Sequence, residues 1–114
     1  MHEYAVTKNL IDIAVQEASK AGASRITEIR LVVGDLSSYV DESVQMYFDI
    51  ISKGTPAEGA RLSFTRIPAE FVCAECGLRF ERKGRSFDCP DCGGPGSLDE
   101  EKGREFYVES IEVE

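Results

Sequence analysis

The stretches Cys73-Ala74-Glu75-Cys76 and Cys89-Pro90-Asp91-Cys92, separated by twelve residues, hold all 4 cysteines of this 114-residue chain. A Cys-x-x-Cys turn directs two sulfur atoms at one point, and two such turns can enclose a metal in a tetrahedron of sulfurs, the geometry typical of zinc. Gly77 and Gly93 follow the two pairs and give the backbone the sharp turn that a small knuckle needs. The spacing predicts a zinc-ribbon module, with a hairpin between the pairs and Gly84 at its tip.

Three other roles are open to these cysteines. Two disulfides would require an oxidising compartment, and nothing in the sequence suggests secretion. A redox-active Cys-x-x-Cys belongs beside a βαβ unit, whereas here two pairs flank a hairpin. Iron is a minor alternative because a four-sulfur site also accepts it. Zinc is favoured, but many zinc ribbons only stabilise a fold, so the motif alone does not give a function.

The composition is that of a globular protein with an acidic surface. The chain has 21 Asp and Glu against 13 Lys and Arg, which gives a formal net charge of −8, and 42% of its residues are hydrophobic. This charge disfavours binding to the phosphates of nucleic acid. The first twenty residues lack a secretory signal, and no run approaches the roughly 20 apolar residues of a membrane span. Together with reduced cysteines, these features predict a cytoplasmic protein with no membrane or nucleic-acid partner.

Three of the elements before the cysteines are predicted from their apolar periodicity. Residues 4–21 form a helix whose apolar stripe consists of Val6, Leu10, Ile13, Ala14 and Ala18. The period then changes to two, with β-branched side chains, over residues 25–35. A second alternating strand covers residues 60–66 and ends before Pro68. The predicted order of elements before the cysteines is therefore helix, strand, helix, strand.

The second helix and the last strand are predicted from caps and parity. Ser38, with Asp41 three residues on, matches a capping box, unless Asp41 is itself the cap. The helix that follows stops at Gly54. Residues 106–113 form the last strand, in which the apolar parity changes, so we expect a bulge near Ser110.

These elements predict an α+β fold in which two helices lie on a three-stranded sheet and a zinc-ribbon module is inserted. The expected domains are 1–68 plus 104–114 for the base domain and 69–103 for the zinc-binding insert. The insert has little apolar mass besides Phe71, Val72, Phe80, Phe87 and Leu98. We therefore expect it to fold only with its metal.

The sequence contains no recognisable catalytic motif. It has one histidine, no phosphate-binding Gly-x-x-x-x-Gly-Lys-Ser/Thr loop and no Gly-x-Ser-x-Gly elbow. No spacing singles out a pair among its 21 carboxylates for acid–base catalysis. We therefore predict that this protein is not an enzyme.

The amino terminus, Met1-His2-Glu3, carries a second group of metal ligands. A lone histidine near a terminus ordinarily has no role. However, the Met1 amine, the His2 amide and the His2 imidazole can close fused chelate rings on one cation, and the Glu3 amide can supply a fourth nitrogen. Four nitrogens in a plane suit Ni(II) or Cu(II) and not tetrahedral zinc.

Several further motifs accompany the two cysteine pairs in a fixed order. They are Met1-His2-Glu3, the segments 34–38 (GDLSS) and 54–62 (GTPAEGARL), Ile67-Pro68-Ala69, and the ending 110–114 (SIEVE). In this combination the sequence resembles the hydrogenase nickel-incorporation family HypA/HybF over essentially its full length. No departure occurs at the metal positions.

The resemblance implies a nickel metallochaperone for [NiFe]-hydrogenase maturation. It implies that transient Ni(II) is bound by His2 with the Met1 amine and the Glu3 backbone. It also implies that structural Zn(II) is bound by Cys73, Cys76, Cys89 and Cys92. The implied partners are the nickel-handling GTPase HypB and the hydrogenase large subunit, and some members of the family also serve urease with its maturation proteins.

Other classes of function have their own signatures. A zinc-ribbon interaction module without nickel would bind a protein partner and be indifferent to His2→Ala. A nucleic-acid ribbon would use the basic hairpin side chains, against the −8 charge of the chain, and these are Arg79, Arg82, Lys83 and Arg85. A thiol oxidoreductase would need an exposed, reactive cysteine.

Overall fold

The computed structural model describes residues 2–81 and 86–114, and of His2 only the backbone. In this part of the chain the elements are α1 (His2–Lys20), β1 (Ile26–Gly34), α2 (Asp41–Ile51), β2 (Arg61–Ile67), β3 (Phe71–Cys73), β4 (Arg79–Phe80), β5 (Gly96–Leu98) and β6 (Phe106–Val113). The strands form two separate three-stranded sheets, ordered β2-β1-β6 and β4-β3-β5. Neither of the two helices combines the length and apolar character that crossing a membrane requires.

The first sheet is the predicted three-stranded sheet, with β1 at its centre. β1 runs parallel to β2 and antiparallel to β6, so that Ile29 lies between Leu62 and Ile111. The parallel pair needs a crossover, which α2 and its flanking loops supply. The register with β6 shifts where Arg30 faces Ser110. The bulge predicted near Ser110 is therefore confirmed.

Both helices pack against one face of this sheet. Ile29, Leu31 and Val33 of β1 share one parity, and each is at most 1% exposed. They join α1 and α2 in one hydrophobic core, which consists of Leu10, Ile11, Ala14, Ala18, Ile26, Ile29, Leu31, Val33, Val44, Phe48, Ala57, Ala60 and Leu62. The predicted arrangement of two helices on a three-stranded sheet is therefore confirmed.

The buried face of α1 differs from the predicted one. Ile13 was expected in the core but is 41% exposed, whereas Ile11 and Thr7 are buried. The buried row is set by the position of α1 against α2 and the sheet, and the apolar pattern alone did not fix that rotation. Thr7 tolerates burial because its hydroxyl donates a hydrogen bond to the Glu3 carbonyl.

The start of α2 also corrects the sequence prediction. Its first residue is Asp41, its N-cap is Val40, and no side chain forms a cap hydrogen bond there. Ser38 has φ 70°, which is not the extended backbone of an N-cap residue. The Asp41 carboxylate instead pairs with Arg66 of β2 at 2.9 Å. Neither Ser38 nor Asp41 therefore caps the helix, and Asp41 forms an ion pair with a distant strand.

The second sheet has β3 at its centre. Phe71 of β3 pairs with Phe80 of β4 on one side and with Leu98 of β5 on the other. The chain therefore reverses at the first cysteine pair. The hairpin predicted between the two pairs stays a prediction. Asp88, near the second pair, bridges to Pro95. The predicted hairpin tip, Gly84, lies outside the described residues.

The two sheets meet at a close backbone junction. The Gly34 N–H donates to the Glu105 carbonyl, and the Leu36 N–H donates to the Gly103 carbonyl at 2.6 Å. A Cβ on Gly34 would lie 2.0 Å from the Gly103 carbonyl oxygen. Only glycine fits this close approach.

Candidate metal sites

The four cysteines of the two Cys-x-x-Cys pairs meet at one point. Their Sγ atoms all lie within 4.8 Å of one another. The Sγ atoms of Cys73 and Cys92 are 3.4 Å apart, and those of Cys76 and Cys89 are 3.6 Å apart. Sulfurs bound about 2.3 Å from a tetrahedral zinc ion would be about 3.8 Å apart. The cluster therefore has the donors and the size of a four-sulfur zinc site, and all four residues are free thiols.

The two knuckles share one backbone pattern. In each, the N–H of the first cysteine donates to the carbonyl five residues on, and the N–H of the glycine four residues on donates back to that cysteine's carbonyl. These glycines, Gly77 and Gly93, have φ 75° and 76°. Because this left-handed conformation favours glycine, the sequence signal that predicted the knuckles is explained by the geometry.

Backbone N–H groups point at the sulfurs and favour their ionised form. Four of them donate at 3.4 Å, namely Glu75 and Cys76 to Cys73, Asp91 to Cys89, and Gly94 to Cys92. Hydrogen bonds of this kind stabilise a thiolate.

The pKa values of two sulfurs show how charge is shared in the cluster. The N–H groups of Cys76 and Glu75 lower the pKa of the Cys73 thiol to about 6. The Gly94 N–H acts on Cys92 in the same sense, but hydrogen bonds with Cys73 and Cys76 outweigh it and raise the pKa of Cys92 to about 12. A cation at the centre would displace the protons that the crowded sulfurs otherwise keep.

Little apolar material supports the cysteine cluster. Cys73 and Cys89 are each 3% exposed and are buried with Phe71 and Phe80. Phe71 stacks on Phe80 with ring centroids 5.9 Å apart, and it meets Phe87 edge-on at 5.4 Å. Cys76 and Cys92 are exposed. A metal ion here would be enclosed by the sulfurs and a thin aromatic layer.

An ion-pair network, which sequence reasoning missed, surrounds this sheet. Glu70 accepts hydrogen bonds from Arg79 Nε at 2.7 Å and pairs with Lys102 Nζ at 2.6 Å, and Arg79 also pairs with Asp99. Lys102 and Arg79 lower the pKa of the Glu70 carboxyl. Arg79, which the nucleic-acid alternative needs as a free cation, is therefore already neutralised by two carboxylates. The three other cations of that alternative lie outside the described residues.

The predicted nickel site lies where α1 begins, and Met1 and the His2 side chain lie outside the described residues. α1 begins at His2, whereas the sequence predicted a start near Tyr4. The amide nitrogens of His2 and Glu3 therefore belong to the first helical turn. The first four N–H groups of a helix have no acceptor in the helix's own backbone. A metal bound to these nitrogens would leave the backbone hydrogen bonds of α1 intact.

The Glu3 side chain interacts chiefly with the backbone at the start of its own helix. Its own backbone N–H, and more weakly the Val40 N–H, lower the pKa of the Glu3 carboxyl. The Glu3 carbonyl also accepts the Thr7 hydroxyl. Sequence reasoning used only the backbone of Glu3, although an acidic side chain in a first helical turn is a known stabilising signal.

Comparison with known proteins gives the family. The family model described as hydrogenase/urease nickel incorporation, metallochaperone, hypA matches residues 1–113. The chain belongs to the HypA family. The hydrogenase maturation factor HypA of Caldanaerobacter subterraneus subsp. tengcongensis is 48% identical over 114 residues, which is 100% of both chains. That of Dehalococcoides mccartyi (strain ATCC BAA-2266) is 44% identical over 100% of this chain and 95% of its own length.

Solved structures of HypA proteins share this fold. One solution structure has a TM-score of 0.69 at 22% identity and covers 100% of this chain and 97% of its own. The solution structure of the Ni metallochaperone HypA from Helicobacter pylori has a TM-score of 0.62 at 20% identity and covers 97% and 96%. At such identities the likeness concerns the fold. It confirms the predicted α+β architecture.

The family membership confirms the resemblance that the motifs indicated. HypA proteins are nickel metallochaperones of hydrogenase maturation, a class of metal carriers rather than catalysts. The four-cysteine cluster adds a metal site whose donors and dimensions fit zinc. This chain thus belongs to a family that handles nickel, and it also carries a separate four-cysteine site.

Proposed function

We propose that this protein binds Ni(II) at its amino terminus and delivers it during [NiFe]-hydrogenase maturation, while its cysteines hold a structural zinc ion. The nickel ligands are the Met1 amine, the His2 amide and imidazole, and the Glu3 amide. The family match over residues 1–113 carries this proposal, and the start of α1 at His2 supports it. The zinc ligands are Cys73, Cys76, Cys89 and Cys92.

The proposed nickel ligands suit a carrier. Four nitrogens in a plane favour Ni(II), and a site at the end of a chain is open to a partner's ligands from one side. Nickel then leaves by stepwise ligand exchange, without any covalent step. Protonation of the His2 imidazole, with an ordinary pKa of about 6.5, competes with nickel, so the affinity falls as the pH falls. Copper binds such a site at least as well, so metal supply and partners provide the selectivity.

The proposed zinc ion has a structural role, in contrast to nickel, because its ligands are thiolates that backbone N–H groups hold in place. We assign nickel binding to 1–68 plus 104–114 and zinc binding to 69–103. The presence of two sheets, and of two hydrophobic clusters with no residue in common, supports this division. The close junction at Gly34 and Gly103 connects the two parts.

The partners follow from the class of protein. We propose that nickel passes between this chain, the GTPase HypB and the hydrogenase large subunit. The family description names both hydrogenase and urease, so urease maturation proteins are a second candidate recipient. Free thiols in a metal cluster favour a reducing compartment, so we place the protein in the cytoplasm.

Nickel titration by calorimetry tests the proposal on zinc-loaded, tag-free protein that keeps its native Met1 amine. We expect one nickel per chain, with binding lost in His2→Ala and in a variant with one glycine added before Met1. Lys8→Ala, an exposed change on α1, serves as the matched control and should bind normally. Unchanged binding in His2→Ala would place nickel elsewhere and favour a zinc-stabilised interaction module.

A further inference from the structure

An apolar groove runs along the outer side of α2. Met46 and Ile50 lie one helical turn apart and are 51% and 60% exposed. Phe64 of β2 lines the same cavity, whose volume is about 620 Å³. We call this surface the α2 groove, and it comprises Met46, Ile50 and Phe64 with the acidic residues Asp41, Glu42 and Asp49.

Met46 and Ile50 do not serve the hydrophobic core. The core side chains of α2 are Val44 and Phe48, each 1% exposed. Successive residues of a helix are about 100° apart, so Met46 is turned about 200° from Val44 and lies on the far side of α2. Large apolar side chains grouped on an exposed face, with polar residues at the rim, are typical of an interaction site.

The rim of the α2 groove is negatively charged. Asp41 is neutralised by Arg66. Asp49 accepts a hydrogen bond from Gln45, and neither Asp49 nor Glu42 takes part in an ion pair among the described residues. Two carboxylates therefore remain to attract a basic partner. A second copy of this chain is a poor occupant because each copy carries a net charge of −8.

The shape of the α2 groove favours a helix. α2 has 11 residues and is therefore about 16 Å long, enough for about three turns of a second helix alongside it. The spacing of Met46 and Ile50 by four residues forms a ridge of the kind that packs between the ridges of another helix. Apolar anchors on a bound helix would repeat with the same period. We propose that the α2 groove binds a basic amphipathic helix of a partner protein.

The position of the groove connects this inference to the proposed nickel site. Asp41 and Glu42 also line a neighbouring cavity with Val40. Tyr4, in the first turns of α1, meets Tyr47 of α2 edge-on, with ring centroids 5.7 Å apart. A helix in the groove would thus lie near the start of α1. This inference adds a docking surface to the proposed function, and its test uses no nickel, so either can fail without the other.

Titration of ¹⁵N-labelled, zinc-loaded full-length protein with a defined peptide tests the inference. The probe is a 14-residue amidated peptide of Leu and Lys at helical spacing. A peptide of the same composition with strictly alternating Leu and Lys, and a Leu–Glu helix, are the controls. We expect the first peptide to become helical and to shift the amide signals of the α2 groove, at least about tenfold more tightly than either control.

Two pairs of variants separate the groove from general charge attraction. Glu42→Lys/Asp49→Lys should weaken binding about tenfold, whereas Glu100→Lys/Glu101→Lys, an equal change in charge at exposed positions, should leave it nearly unchanged. Ile50→Ser should weaken it and Ile13→Ser, another exposed isoleucine, should not. Circular dichroism verifies that each variant is folded.

Four results would overturn the inference. Equal effects of the two double variants would indicate unspecific charge attraction. Tighter binding of the alternating peptide, with shifts along β2, would indicate strand addition at the edge of the sheet. Dimerisation of the chain through Met46 and Ile50 would make a second copy the occupant. Signals that shift away from the α2 groove would leave it without this role.

Discussion

Two regions of this molecule achieve order by different means. The helix-covered region (α1, β1, α2, β2 and β6) buries 13 residues in its core. The cysteine region (β3, β4, β5 and the two knuckles) buries four, of which two are cysteines, in the part of it that the structure describes. Burial of apolar surface stabilises the first region. The second has too little of it, so we expect a metal ion to supply the stability there.

Removal of zinc should give the largest difference between the two regions, because it should unfold only the cysteine region. A chelator, or Cys89→Ser, should abolish the dispersed amide signals of β3, β4 and β5, because the metal provides most of the folding free energy there. Helical ellipticity at 222 nm should persist, since both described helices lie in the helix-covered region. NMR spectra and circular dichroism of the same samples check this.

The control for zinc removal is Ser97→Ala, an exposed change on β5 that leaves all four sulfurs in place. It should keep the zinc and the dispersed signals. If the metal-free protein kept the signals of β3, the aromatic layer of Phe71 and Phe80 would suffice for folding, and the contrast between the regions would fail.

Truncation of the core should destabilise the helix-covered region and leave the cysteine region unchanged. Phe48→Ala removes a side chain that is 1% exposed and should cost about 3–5 kcal/mol of the free energy of unfolding. Met46→Ala, two residues away on the exposed side of the same helix, should change it by less than about 0.5 kcal/mol. Urea denaturation followed at 222 nm gives both values.

The zinc content should be insensitive to this core substitution. A colorimetric zinc assay on folded Phe48→Ala protein should still find one ion per chain. Loss of zinc in Phe48→Ala, but not in Met46→Ala, would mean that the cysteine region depends on the core of its neighbour, which contradicts their independence.

The smallest effect concerns a carboxylate on the open face of the first sheet. The Ser63 hydroxyl, and then Arg30, lower the pKa of the Glu28 carboxyl below 4.5. Folding therefore favours the ionised form, and its stabilisation is complete above pH 4.5 and is lost as the pH falls through the lower value in the folded state. Glu28→Gln should slightly lower the melting temperature at pH 7 and have no effect once Glu28 is protonated.

Melting curves at 222 nm between pH 7 and pH 3 measure this difference. Glu100→Gln removes the same charge from an exposed position in the cysteine region and should leave these curves unchanged. A Glu28→Gln effect that persisted at the lowest pH would mean that lost packing, rather than charge, accounts for it.

Much of the helix-covered region was predictable because its signals are local. The alternation of β1, the order of its elements and the bulge near Ser110 all follow from the parity of apolar residues. The knuckles followed from cysteine spacing and from Gly77 and Gly93, whose positive φ needs glycine. Each of these features depends on residues that are close in sequence.

The features that the sequence did not reveal involve partners from other segments of the chain. Ser38 and Asp41 matched a cap, but Arg66 of β2 binds Asp41 instead. The nucleic-acid alternative needed Arg79 as a free surface cation, but in the fold Arg79 pairs with Glu70 and Asp99. The pairing of β4 with β3 across the first knuckle was not predicted either.

The sequence by itself determined the helices and strands of the first sheet, the spacing of the two Cys-x-x-Cys pairs and, through its motifs, the family, since periodicity and spacing act over a few residues. Only the tertiary structure decided which face of α1 is buried, where α2 begins, and that Met46, Ile50 and Phe64 share a groove. The physical reason is that packing and ion pairs between distant segments compete with local helix and capping preferences. The free energies of the two kinds of interaction are of similar size.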